Sequence, residues 1–245
     1  MTPPWRQGPR IHIAESTEKA KEEHDQRVEH HTDAICIYTD GSGINGHVGA
    51  AAVCTTTQQT RSSYMGDDTT STVYAAELQG IVLALEIAET DKQSGNERSR
   101  LLIFTDNQAA IRSSARPKGK SGSYLLKAIA DKIQKLLERG LDTEICWIPA
   151  HTGIQGNEDT NRAAKEATGW RPNNETGPRA PEPADLYTLR STLKTWTHKK
   201  ANEAWHTRWT AEKRGRTSYR YTPKPTKKTL QLHDSLSKRQ SALLM

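Results

Sequence analysis

Apolar residues along this chain change their period several times, and each change marks an element. Ala34-Ile-Cys-Ile-Tyr-Thr39 is a compact apolar run, which predicts a buried strand ending at Asp40. Gly41, Ser42, Gly43 and Gly46 follow it and predict a turn. Residues 48–57, β-branched and small, predict a second strand and residues 60–66 a third, giving an antiparallel meander. At Ser71 the period lengthens. Leu78, Ile81, Val82, Leu85 and Ala88 recur at steps of three and four, the face of a helix that Ser71 or Thr72 can cap. Glu77 sits one turn before Ile81, at the margin of that face. Leu101-Leu-Ile-Phe-Thr105 predicts another buried strand, and it too ends in an aspartate, Asp106. A short helix over 108–114 follows, then a loop over 116–123. Leu125, Leu126, Ile129, Ile133, Leu136 and Leu137 stripe a helix that stops at Gly140. Residues 144–148 predict the last strand and 158–168 a final helix. Antiparallel strands come first; the helical crossovers after them force parallel pairing, so the sheet is mixed.

Outside residues 34–169 the pattern thins. Only 33% of the 245 residues are hydrophobic and 26% are charged, too lean for every segment to sit in a core. Residues 1–33 read as a polar lead-in with one short helix over 15–28. Residues 170–185 are proline-rich and read as a linker. In residues 186–245, Leu186, Leu189, Leu193 and Trp196 keep helical spacing and Trp205 and Trp209 lie four apart. One tail helix is expected there, with little order beyond Arg214.

Charge divides along the same line. Residues 171–245 hold 16 basic and 6 acidic residues, against 19 and 23 in residues 1–170. An acidic body with a basic tail suits carboxylates that collect cations beside an arm that seeks phosphates; a solvated tail is the plainer alternative. No run of about 18 apolar residues exists, so a membrane-spanning role is excluded on this pattern. The first residues lack the apolar core of a secretory signal. Cys36, Cys54 and Cys146 are too scattered for a disulfide framework or a metal-ligand spacing. They read as small buried side chains in a reducing, intracellular compartment, nucleus and cytoplasm both remaining open.

Two buried strands delivering aspartates at their C-terminal ends point to a site at one sheet edge. If the strands are neighbours, Asp40 and Asp106 lie side by side, and Glu77 adds a third carboxylate from the helix packed across that edge. Three such groups repel and need a cation or raised pKa values. Hard oxygen ligands favour Mg²⁺ or Mn²⁺, and suit metal-assisted phosphoryl transfer with two ions. Each piece alone has a dull reading: Thr-Asp-Gly is a common turn, Thr-Asp-Asn a common helix cap, and Glu77 a helix residue.

The ordered set is more specific. Tyr38-Thr-Asp-Gly-Ser42, Ala76-Glu-Leu78, Phe104-Thr-Asp-Asn107 and Trp147-Ile-Pro-Ala-His-Thr-Gly-Ile-Gln-Gly-Asn-Glu158 resemble type 1 ribonuclease H over roughly residues 35–167. With Thr2-Pro-Pro-Trp5, Gly41-Ser-Gly-Ile-Asn-Gly-His47 and Thr72-Val-Tyr-Ala-Ala-Glu-Leu-Gln79, the set resembles the ribonuclease H region of fungal non-LTR retrotransposon polyproteins, where a reverse transcriptase precedes it. The resemblance implies an α/β fold, a ribonuclease H-like five-stranded mixed sheet flanked by helices. It implies that Asp40, Glu77 and Asp106 bind two Mg²⁺ or Mn²⁺ ions. It implies that His151 assists proton handling or product departure, and that Gly41, Ser42 and Asn107 lie at the substrate. Asn157 and Glu158 are expected to shape and cap the final helix. The substrate implied is an RNA/DNA hybrid cut in its RNA strand, since only RNA offers the 2′-hydroxyl.

Two positions depart from the family's pattern. Its fourth metal carboxylate falls on Asn161 and the alanine before it on Thr160. Asparagine keeps an oxygen donor and loses a full charge, so weaker binding of one ion and reduced activity are expected. Both departures are single G-to-A transitions in the genetic code, consistent with a decaying element copy; DNA of sibling copies showing no excess of such transitions would refute this. The ends of the chain, the last inside Ala242-Leu-Leu-Met245, read as those of a fragment. The rival to an active enzyme is an impaired remnant that still binds nucleic acid. A weaker third reading is an integrase or exonuclease of the same broad fold. Arg116, Lys118 and Lys120 form a small basic loop. Trp196, Trp205 and Trp209 with Lys199, Lys200 and Arg208 form either a nucleic-acid arm or ordinary packing.

Overall fold

The computed structural model describes residues 8–30, 33–117, 122–173, 175–211 and 237. Thr2-Pro-Pro-Trp5, Lys118, Lys120 and, apart from Ser237, the tail beyond Arg214 lie outside the described residues.

The two fully apolar runs form the centre of the sheet. Strand β2 (Ala34–Ile44) pairs antiparallel with β3 (His47–Cys54), which pairs antiparallel with β4 (Gln59–Asp67). On its other side β2 runs parallel to β5 (Arg100–Thr105), and β5 runs parallel to β6 (Asp142–Trp147). The mixed sheet follows the expected plan with one strand more. Arg10–His12, β1, adds parallel to β6, giving the order β1-β6-β5-β2-β3-β4. Three residues are too few to show an alternating pattern, so the lead-in concealed this sixth strand.

The turn after Asp40 is also displaced. Gly41–Gly43 continue β2 in register with Ala50, Gly49 and Val48, and the chain reverses at Asn45-Gly46, both at positive φ. Asn-Gly accepts that conformation readily and matches the twist of a two-residue hairpin.

Helix α1 (Thr17–His30) and α5 (Gln155–Ala167) cover one sheet face; α2 (Val73–Gln93), α3 (Gln108–Ala115) and α4 (Ser123–Glu138) cover the other. Alternate residues of β2 divide between the two cores, Ile35 and Ile37 toward α2, Cys36 and Tyr38 toward α5. The α5 face is closed by Gly156, whose missing Cβ leaves room for the Tyr38 ring, and by Gly49 against the Ala164 carbonyl. His24 of α1 is hydrogen-bonded to the Tyr38 hydroxyl at 2.7 Å, and Arg27 reaches Glu144 at 2.6 Å. On the other face Leu78, Ile81 and Leu85 of α2 are wholly buried, each stabilising the fold by about 1.5–3 kcal/mol. Thr72, one of the two expected caps, accepts the Ala75 N–H. Cys36, Cys54 and Cys146 are buried free thiols.

The proline-rich segment expected as a linker lies along the domain. Gly177 and Ala180 donate to the carbonyls of Gly169 and Ala167, and Tyr64 of edge strand β4 donates to Pro181. Leu186 packs on the core beside buried Leu189, whose N–H meets the Thr70 carbonyl. Residues through Thr192 belong to one compact unit and those from Leu193 to a second. Helix α6 (Arg190–Ala211) is the tail helix. No helix among the described residues is long and apolar enough to cross a membrane.

Candidate metal centre

Register builds the site. Thr39 of β2 pairs with Thr105 of β5, so Asp40 and Asp106 stand at the same level one residue further on. There β5 stops while β2 continues beside β3, opening a notch at the point where the two chain paths diverge. Trp147 at the end of β6 donates its indole N–H to the Asp106 carbonyl at 3.1 Å and fixes that backbone.

Glu77 arrives from α2. The helix approaches β2 closely because Gly41 and Gly80 carry no side chain. A Cβ on Gly41 would lie 2.5 Å from the Glu77 nitrogen, and one on Gly80 would lie 3.2 Å from Thr39 Cβ. Gly41 therefore has a packing role whatever its place toward a substrate, and it is extended, not a turn residue. Glu77 is not at the margin of the helix's buried face but fully inside it, 5% exposed.

Asp40, Glu77 and Asp106 each offer a carboxylate oxygen, and these atoms lie within 4.8 Å of one another. Glu77 Oε2 is buried with no hydrogen-bond partner. A buried carboxylate oxygen left unpaired is costly, and a hard divalent cation would satisfy it. The donor set fits such an ion.

The electrostatics agree. Burial first, then the Asp106 charge, pushes the Asp40 carboxyl up to about 6, against the opposing influence of the Gly41 N–H, Lys165 and His151. Burial followed by Asp40 and Asp106 raises Glu77 to about 9, opposed by the Asn107 side chain and the Gly41 N–H. Asp106 is also raised by burial, with His151 the chief opposing charge. The metal-free cluster resists holding three negative charges together.

His151 lies exposed in the loop after β6, at φ 55°, a left-handed conformation uncommon for a non-glycine residue. Its charge opposes the upward shifts of Asp40 and Asp106. Asn107 serves two purposes: its Oδ1 accepts the Ala110 N–H at the start of α3, and its side chain hydrogen-bonds Glu77. Ser42 is buried two residues after Asp40 on β2.

Asn161 is half-buried on α5, one turn before Lys165. Lys165 escaped the sequence reading, although its i+4 spacing from Asn161 places both on one helix face. Thr160 is buried, its hydroxyl donating to the Gly156 carbonyl at 2.6 Å, which accommodates the larger side chain within the helix. Asn157 and Glu158 do not cap α5. The helix starts earlier, at Gln155, with Ile154 at the cap position, and Asn157 Oδ1 is buried without a partner.

Comparison with known proteins adds a family. The model of the RNase H family matches residues 32–169. No curated protein matches the chain. Among solved structures, RNase H1 from the archaeon Halobacterium salinarum NRC-1 is 18% identical, aligning 55% of this chain and 96% of its own at a TM-score of 0.41. The N-terminal RNase H domain of a Mycobacterium tuberculosis protein is 20% identical, over 55% and 93%, at 0.42. The foamy viral protease-reverse transcriptase is 22% identical, over 55% of this chain and 20% of its own, at 0.43.

Proposed function

This chain belongs to the ribonuclease H family, and from that premise we propose that it is an endoribonuclease that cuts the RNA strand of RNA/DNA hybrids. The observation that carries this reading is the meeting of Asp40, Glu77 and Asp106 within 4.8 Å, at the notch between β2 and β5.

The residues proposed to hold two Mg²⁺ or Mn²⁺ ions are Asp40, Glu77, Asp106 and the Asn161 amide oxygen; such ions would supply positive charge to stabilise the reacting phosphate. The chain's own part is to fix that arrangement. Buried α2 holds Glu77 rigid, the Gly41 N–H and the Asn107 side chain bind its carboxylate, and Trp147 anchors Asp106. In the reaction water adds to phosphorus, the bond from phosphorus to the leaving oxygen breaks, and that oxygen gains a proton. His151, exposed and acting electrostatically on Asp106, is suited to move that proton or to help product leave. Gly41, Ser42 and Asn107 border the cluster and are proposed to lie against the nucleic-acid backbone. Reading the 2′-hydroxyl would distinguish the RNA strand. The motif resemblance supports an origin in a retrotransposon polyprotein, with a reverse transcriptase region as its covalent partner.

Asn161 supports a second reading. A neutral amide with Lys165 one turn away leaves this side of the site poorer in negative charge than an aspartate would, which weakens one ion and favours an impaired remnant that binds without efficient cleavage. A labelled hybrid incubated with Mg²⁺ or Mn²⁺ separates the two. Cleavage by the chain as it stands, raised about tenfold by Asn161→Asp and cut about a thousandfold by Asp40→Asn, is the expected result. Binding with no cleavage in any variant would establish the remnant instead.

A further inference from the structure

Helix α6 contrasts with the other helices among the described residues in what it leaves uncovered. Thr192 is its one buried residue, while Leu193 is 52% and Trp196 42% exposed. Its 22 residues carry Arg190, Lys194, Lys199, Lys200 and Arg208 against a single acid, Glu203, which pairs with Lys200 at 3.0 Å. The excess continues beyond it: residues 190–245 contain fourteen basic and three acidic residues. Solubility accounts for the lysines. It does not account for three tryptophans on a helix that buries almost nothing.

The tryptophans are arranged. Trp205 and Trp209, one turn apart, stack with ring centroids 5.3 Å apart at 21° between planes, and both remain partly exposed. Trp196 presents a separate indole two turns earlier. Aromatic faces interleaved with cationic side chains match a polyanion that also carries planar rings, and the opposed charge excludes a basic partner.

We propose that α6 is a docking surface for single-stranded nucleic acid, its lysines and arginines taking phosphates and its indole faces stacking unpaired bases. The choice of a single strand over a duplex follows from the tryptophans. Bases in a duplex are already stacked on one another, so a duplex offers α6 only its phosphates, whereas an unpaired strand offers both. Binding of this kind needs no divalent ion.

The test is fluorescence anisotropy on the full chain in EDTA, with labelled oligo(dT) of about 20 nucleotides and a blunt RNA/DNA hybrid of the same length. Trp205→Ala with Trp209→Ala is expected to weaken oligo(dT) binding about tenfold or more and hybrid binding less than about threefold. Trp205→Phe with Trp209→Phe, which keeps two flat faces, restores most of the loss even if the alanine pair perturbs the helix. Lys199→Gln with Lys200→Gln lowers the slope of log affinity against log salt by about 1.4 for the single strand. Equal loss on both ligands, no loss with the alanine pair, or no rescue by phenylalanine would overturn the proposal. So would sedimentation showing a dimer that dissociates when the tryptophans are removed, since a second copy would then be the occupant. Because no turnover is measured, failure here leaves hybrid cleavage untouched, and loss of cleavage leaves this binding untouched.

Discussion

Helices α2 and α6 are nearly equal in length, 21 and 22 residues, and neither has a sharply one-sided apolar face. The reasons are opposite. In α2, 14 residues are buried, because the helix lies between the sheet and α4 and is apolar almost all round. In α6 one residue is buried, because the helix is polar and cationic almost all round. A helix apolar on every side is an interior element; one polar on every side must find its use in solvent. Chemistry follows that division. Glu77 gains its raised pKa and its fixed position from being inside α2. The tryptophans and lysines of α6 have reach and exposure, and Trp205 and Trp209 stack on one another.

The largest stability effect is expected from ending the chain at Gly169, which removes the strap over β4 with Leu186 and Leu189. Urea unfolding should show a loss of about 3 kcal/mol or more, whereas ending it at Thr192 should cost little. Gly41→Ala comes next. Its methyl would meet the backbone of Ala76 and Glu77, so α2 must move away from β2; a loss of about 1–3 kcal/mol is expected, with cleavage falling alongside it.

The carboxylate cluster gives a pH test of similar or smaller size. Asp40 and Glu77 have folded-state pKa values above their ordinary ones, so the metal-free fold binds protons that the unfolded chain releases. Their contribution is fully present below the ordinary carboxylate range and is lost as pH rises toward about 6 for Asp40 and about 9 for Glu77. Thermal melts in EDTA should therefore fall between pH 5 and about 9. Glu77→Gln should flatten that fall and stabilise the metal-free chain at pH 8 by about 1 kcal/mol or more. The smallest effect belongs to α6. Ala204→Gly should cost about 1 kcal/mol of local helix, seen in hydrogen exchange, without moving the main thermal transition.

Much of the site was legible because it rests on two apolar strands, each ending its run in an aspartate. Ile35 and Ile37 beside Leu101 and Ile103 fix parallel neighbours, and Asp40 and Asp106 then follow by register. Glu77 was legible from its place before Ile81, though its depth was not. Helix periodicity gives a direction, while depth depends on glycines at Gly41 and Gly80 that let the helix approach. Three features were hidden for distinct reasons. Strand β1 is too short to carry a pattern. The turn at Asn45-Gly46 was masked by three earlier residues with turn propensity that pairing with β3 holds extended. The segment after Trp170 has the composition of a linker, and its attachment comes from backbone hydrogen bonds to Gly169, Ala167 and Tyr64, which side-chain chemistry does not announce. Lys165 was overlooked because its meaning depends on what α5 faces across the sheet.

Asp40, Glu77 and Asp106 are proposed to act together as one cation site. Isothermal titration of the full chain with Mn²⁺ at pH 8 tests it without any substrate. Saturable binding that is abolished by Asp40→Asn and by Glu77→Gln, in variants that still melt cooperatively, is the result this account requires. Binding that is unchanged in both variants, or none in the parent chain at millimolar Mn²⁺, would contradict it.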